Sequence, residues 1–239
     1  GATLVNGAKV QSVIIDGNKA VGVKVKIKRR TYKLEAPTTI LGAGGIGSAE
    51  ILRNSGMKDV GYDLFVDPLI IVQGKASDVK KGKEPQMQYG WHVANEYVMT
   101  DFAMPKNPKL SIMVKIKDEL GGRITDKGGC KKRLSENDNK KLEKGYDHAK
   151  KILKNAGVKK INKSIVFAAH PGGSVKVGDF LDSDLKAKLD NLYVCDCSVV
   201  PEAWGLPPTL TILGLGIRLA RHLLKVETPS QEKLQSAPN

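Results

Sequence analysis

PTTILGAGGIGSAEILRNSGM, running from Pro37 to Met57, is the stretch on which the fold turns. Gly42, Gly44 and Gly47 form a G-x-G-x-x-G directly after a short apolar strand. A glycine turn of this kind can open a βαβ unit, where backbone amides at a helix N-terminus hold a phosphate. It can equally mark a place where two backbones approach closely.

The residues around it separate these readings. Asp67 lies about 20 residues past Gly47, where a ribose-binding acid would stand in a nicotinamide enzyme. An NAD(P)-dependent Rossmann dehydrogenase on Gly42–Gly47 and Asp67 is thus one alternative. Against it, the helix expected over Ser48–Asn54 has only about two turns before Ser55-Gly56. Residues 3–41 upstream read as a β-meander, with Asp16-Gly17 supplying hairpin chemistry, and not as a first strand. Downstream, strands and helices do not alternate as a doubly wound sheet requires.

Residues 61–130 are mixed and strand-leaning, as in LFVDPLIIVQG and KLSIMVKIK. From Ser135 an amphipathic helix is expected. Ser135 and Asp138 form an S-x-x-D box, Leu142, Ala149, Ile152 and Leu153 share one face, and Asn155-Ala156-Gly157 ends it. Residues 165–169 and NLYVCDCSVV read as strands, and Thr209–Leu224 as an apolar helix. The tail after Lys225 has the composition of a disordered terminus.

Bulk properties bound the function. The 239 residues are 41% hydrophobic, enough for a full core, and no apolar run approaches the ~20 residues of a membrane helix. No membrane span and no export leader are expected, which points to a cytoplasmic protein. The net charge of +14 gathers in runs such as Lys80-Lys81-Gly82-Lys83 and Lys131-Lys132-Arg133. Aromatics make up 5% of the chain and none lies inside those runs, so the charge reads as a solvated surface and not as a nucleic-acid site. Cys130, Cys195 and Cys197 match no metal-ligand spacing with the four histidines, so buried reduced thiols and no metal are expected.

The C-terminal third carries three ordered motifs. His170, Pro171, Gly173, Ser174, Lys176 and Gly178 stand in HPGGSVKVG. Asn191, Leu192, Tyr193, Val194, Asp196, Ser198 and Pro201 stand in NLYVCDCSVVP, and Pro208–Ile212 read PTLTI. In this order and spacing they resemble the C-terminal region of the glucose–methanol–choline (GMC) family of flavoprotein oxidoreductases. GAKVQSVIIDGNKAVGVKVK resembles that family's adenine-side segment, and TTILGAGGIGSAEILRNSGM its second glycine motif, with Gly45 and Ala49 departing from the usual residues.

The resemblance implies an α/β fold: a partial FAD-binding, GMC-type fold with a β-meander and an inserted α+β substrate domain containing a mainly antiparallel sheet. It divides the chain into FAD-binding segments over 1–57 and 165–225, a substrate-binding cap over 58–164, and a tail over 226–239. It implies FAD as cofactor, oxidation of an alcohol or sugar hydroxyl, and His170 as the catalytic proton acceptor. Val10, Ala43, Gly44, Asp196, Cys197, Pro208 and Thr209 are implied to meet the cofactor. Where the family carries a second His or Asn before P-T-L-T-I, this chain has Pro207, so Tyr89, Trp91 and His92 become candidates for holding the substrate oxygen. The family's pyrophosphate-gripping G-x-G-x-x-G lies well upstream of the adenine-side segment. The resemblance therefore implies a partner polypeptide, or further chain, carrying that half. A non-catalytic subunit supporting a flavoprotein partner is the remaining alternative.

Overall fold

The computed structural model describes residues 1–76, 87–103, 109–126 and 128–225. The Lys80–Lys83 run and the 226–239 tail lie outside the described residues. In chain order the first elements are β1 (Ala8–Asp16), β2 (Lys19–Ile27), β3 (Arg30–Glu35), β4 (Thr39–Leu41), α1 (Gly44–Asn54), β5 (Tyr62–Leu64) and β6 (Pro68–Lys75). Next come β7 (Gly90–Val93), β8 (Tyr97–Asp101), β9 (Lys109–Ile116), β10 (Gly121–Ile124), β11 (Cys130–Lys131) and α2 (Glu136–Asn155). The described chain closes with β12 (Ile161–Lys163), β13 (Phe167–Ala168), β14 (Leu192–Val194) and α3 (Thr209–Leu224).

The architecture is mixed α/β with mainly antiparallel sheets. β1, β2 and β3 form the expected meander, its first hairpin closing where Asp16 faces Lys19. β4 pairs with β14 in parallel, bringing the two ends of the chain together. The largest sheet runs β12-β6-β9-β8-β7, with β13 also on β6. α2 covers one of its faces, where Ile70, Val72, Val114 and Ile116 meet Leu142, Ala149 and Leu153. Alternation along a strand sends the neighbours of Val114 and Ile116 to the opposite face. Lys115 is one of them, and this places it on the side of the candidate site. A second core, including Leu41, Leu52, Leu64, Val194 and Leu219, packs α1 and α3 with the parallel strand pair.

Several expectations are met at the residue level. The Ser135 hydroxyl oxygen accepts from the Asp138 amide at 3.0 Å, and the Asp138 carboxylate accepts from the Ser135 amide at 3.0 Å, completing the capping box. α3 has the bounds read from the sequence. Elsewhere local signals mislead. α1 starts at Gly44, a turn ahead of Ser48, because its first amide is capped by Asp196 from 152 residues away. Ile152 is 40% exposed and does not join Leu142, Ala149 and Leu153 on the buried face of α2. The NLYVCDCSVV strand stops at Val194, and Asp196 caps a 3-10 turn over Cys197–Val199. The 165–169 strand shrinks to β13, with Ile165 exposed. Among the described residues no helix is long and apolar enough to cross a membrane.

Candidate active site

The site forms where β4 and β14 end side by side, Leu41 opposite Val194. Open α/β sheets bind ligands outside the carboxyl ends of parallel strands, and here those ends lead into Gly42-Ala43 and Cys195-Asp196. Asp196 is buried. Its carboxylate accepts from the Gly44 amide at 2.9 Å, the Ser48 hydroxyl at 2.6 Å and the Ser198 amide at 2.7 Å. These bonds lock the glycine turn to the C-terminal strand. The Asp196 oxygens and the Gly44 amide are thus engaged within the chain, and their role toward a ligand is to shape the turn.

The His170–Ser174 loop lies across this junction. Gly172 exchanges backbone bonds with Phe65, its amide donating at 3.0 Å and its carbonyl accepting at 3.1 Å. The Gly173 amide donates to the Cys197 carbonyl at 3.2 Å, and the Ser174 hydroxyl to the Gly45 carbonyl at 2.6 Å. A Cβ on Gly45 would sit 1.8 Å from the Pro171 carbonyl oxygen, and one on Gly172 2.3 Å from the Phe65 ring. The glycines here serve backbone approach. Gly45, a departure from the resembled motif, is what lets the histidine loop rest on α1.

His170 projects from this loop into a cluster of buried charge. Its Nδ1 lies 2.6 Å from Lys115 Nζ and 3.5 Å from Asp67 Oδ2, while Lys115 Nζ and Asp67 Oδ2 are 3.4 Å apart. Lys115 and Asp67 are almost wholly buried, and the His170 side chain is 27% exposed. Burial pushes the Asp67 carboxyl up to about 6 against the pull of Lys115. Burial also lowers Lys115, opposed by Asp67. His170 is held below its usual range by burial and then by the Lys115 charge, so its neutral form is favoured. Asp67 has a left-handed φ of 48°. It is held by the Gly205 amide on Oδ1 at 3.1 Å and by its own amide, which donates to Asp118 at 2.9 Å. Asp118 pairs in turn with Lys132 at 2.9 Å. A ribose-binding Asp67, as the NAD(P) reading needs, is at odds with this buried ion pair.

Two cavities open on the elements that frame the site, and the second includes Lys115 of the cluster. One, of about 530 Å³, lies between β1 and α1 and brings Val10 together with Gly42, Ala43, Gly47, Glu50 and Asn54. This volume and mixed lining fit the nucleoside end of a dinucleotide such as FAD. Val10 and Ala43 line this one cleft. The second, of about 330 Å³, is lined by His92, Tyr97, Lys115, Lys117, Trp204 and Gly205, among others. Its lining includes both Lys115 and His92, whereas Trp91 on the edge strand β7 and Tyr89 just before that strand are exposed. Cys197 is buried beside Phe65, with its thiol pushed up to about 11 by burial, and acts through its backbone carbonyl. Pro208 is the N-cap of α3 and Thr209 its first residue, with no side-chain cap on the free amides. Those amides fit a partial negative charge.

Sequence reasoning missed Lys115, the Asp67–Lys115 pair and the Ser48 hydroxyl. A lysine between Val114 and Ile116 in an apolar strand was the available signal. Its partner 48 positions away was not.

Comparison with known proteins agrees with this geometry. The N-terminal GMC oxidoreductase model matches residues 1–69 and the C-terminal one residues 130–216. An uncharacterized protein of Methanocaldococcus jannaschii is 33% identical over 207 residues, covering 80% of this chain and 54% of that protein. The crystal structure of pyridoxine 4-oxidase from Mesorbium loti superposes with a TM-score of 0.72 at 17% identity, covering 92% of this chain and 58% of that one. The chain thus spans about half the length of the proteins it matches. Both ends of the chain match, and they are the two segments that meet at β4, β14 and the His170 loop: the chain belongs to the GMC oxidoreductase family.

Proposed function

We propose that this chain supplies the flavin-facing and substrate-facing walls of an FAD-dependent oxidoreductase that oxidises an alcohol or sugar hydroxyl. The observation that carries this reading is the seating of the His170 loop on the α1 glycine turn, beside a cleft of nucleoside size. FAD, when bound, supplies a two-electron acceptor. His170 holds the substrate hydroxyl and takes its proton when its ligand-facing nitrogen is bare, in an imidazole whose neutral form burial favours. Val10 and Ala43 line the adenine side, and the amides at Thr209 face developing negative charge. Lys115 and the Trp204–Gly205 segment shape the substrate side.

A partner half, on a separate polypeptide or further chain, would carry the pyrophosphate grip. β14 is closed on its outer edge by residues 185–187, whose Ala187 amide donates to Leu192 and whose Leu185 carbonyl accepts from Val194, while β4 carries no further strand on its other edge among the described residues. Along α3, Leu210, Leu213 and Ile217 recur at helical spacing and are exposed by 83%, 58% and 56%. The open edge of β4 and the exposed apolar face of α3 are two surfaces that an α/β unit could cover.

Pro207 favours a second reading, that of a supporting subunit, because it can neither donate a hydrogen bond nor accept a proton. His170→Ala in the natively assembled protein tests the choice. A fall in turnover on the order of 10²–10⁴-fold is expected for a lost proton acceptor; unchanged turnover would remove His170 from the chemistry.

A further inference from the structure

We propose that Lys115 is a positioning residue that decides which ring nitrogen of His170 carries the proton, and with it whether His170 can act as a base. The inference rests on the flavoenzyme reading for its consequence but not for its geometry. Lys115 Nζ approaches Nδ1 to 2.6 Å, while the Asp67 carboxylate lies 3.5 Å from the same nitrogen. Only the first is a full hydrogen bond. An ammonium has donors and no acceptor, so with Lys115 charged, Nδ1 must present its lone pair. The proton of the neutral ring then sits on Nε2, and His170 faces its ligand as a donor. It can hold a substrate oxygen in that state but cannot take a proton from it.

Base function needs the other arrangement. When Lys115 is an amine its nitrogen becomes an acceptor, the ring proton moves to Nδ1, and Nε2 is bare. The substrate O–H bond can then break as Nε2–H forms, while the Nδ1 proton passes to Nζ and regenerates the ammonium beside Asp67. One proton enters at Nε2 and one leaves Nδ1, so the imidazole stays neutral throughout. The cavity lined by Lys115 lets that ammonium return its proton to solvent. The groups facing the pair come from several elements. Asp67 and Asp118 favour the ammonium, burial in the sheet opposes it, and the Cys197 thiol adds its own influence. Asp118 is already paired with Lys132.

The test is the tautomer itself, read by long-range 15N–1H correlation on the full 239-residue chain with labelled histidine. His170 is assigned by the peaks lost in His170→Gln. The expected result near neutral pH is an Nε2–H ring. That signal should be lost to Nδ1–H in Lys115→Met, and in the wild type as pH rises through the Lys115 titration. An Nδ1–H ring near neutral pH, or an Nε2–H ring unchanged by both manipulations, overturns the proposal. The wild-type titration decides the matter even where Lys115→Met does not fold. No flavin enters this readout: a native complex without flavin would sink the enzyme reading and leave the tautomer result standing.

Discussion

Asp196 Oδ2 and the Ser48 hydroxyl meet at 2.6 Å although 148 residues separate them. With the Gly44 amide on the same oxygen, this contact joins the first glycine turn to the last strand and fixes the platform on which the His170 loop rests. Asp196→Ala leaves three donors of the platform unpaired, two of them buried hydroxyl or turn groups. A loss of about 2–4 kcal/mol is expected in urea unfolding, and about 1–2 kcal/mol for Ser48→Ala.

Gly45→Ala places a methyl into the Pro171 carbonyl. Backbone cannot yield as a flexible side chain can, so the expected cost is about 1–3 kcal/mol. The lost Ser174–Gly45 hydrogen bond should appear as faster amide exchange along Gly172–Val175, read by mass spectrometry. An unchanged exchange pattern would mean that the loop is held by other contacts.

Removing one member of the buried Asp67–Lys115 pair strands the other. Lys115→Met should cost about 3–5 kcal/mol, and the double change Lys115→Met with Asp67→Leu distinctly less. A denaturant double-mutant cycle measures the difference.

The same pair gives a pH signature. Asp67 has a folded pKa of about 6, above the unfolded value of about 3.9. The native state therefore holds the extra proton. Its contribution is fully present below about pH 4 and is lost as pH rises through about 6. Asp67→Asn should remove this component, on the order of 3 kcal/mol, from a series of unfolding curves between pH 4 and 7.

The exposed α3 face separates stability from assembly. Leu213→Glu with Ile217→Glu should change the unfolding free energy of this chain by no more than about 0.5 kcal/mol per site. Co-purification of the proposed half carrying a pyrophosphate grip should be lost, as read by native mass spectrometry.

Much of this was legible in the residues, for local reasons. The capping box of α2 needs only Ser135 and Asp138, and α3 announces itself by proline before it and apolar spacing within it. The motifs from His170 to Ile212 pointed to the family that the comparisons show. What stayed hidden depends on distant partners. The early start of α1 needs Asp196, the short β14 needs the turn that Asp196 caps, and Lys115 reads as a surface lysine until β9 is set beside β6 with Leu69 opposite it. Asp67, at the ribose-acid distance, was visible as a residue and not as one half of an ion pair.

Isolating the chain from its native source, with whatever it binds, and recording the absorbance spectrum and intact mass tests the central claim most directly. A flavin spectrum, together with added polypeptide mass that carries a glycine-rich phosphate turn, is the predicted result. A nicotinamide nucleotide, or a flavin-free protein of this mass alone that still oxidises alcohols, would contradict it.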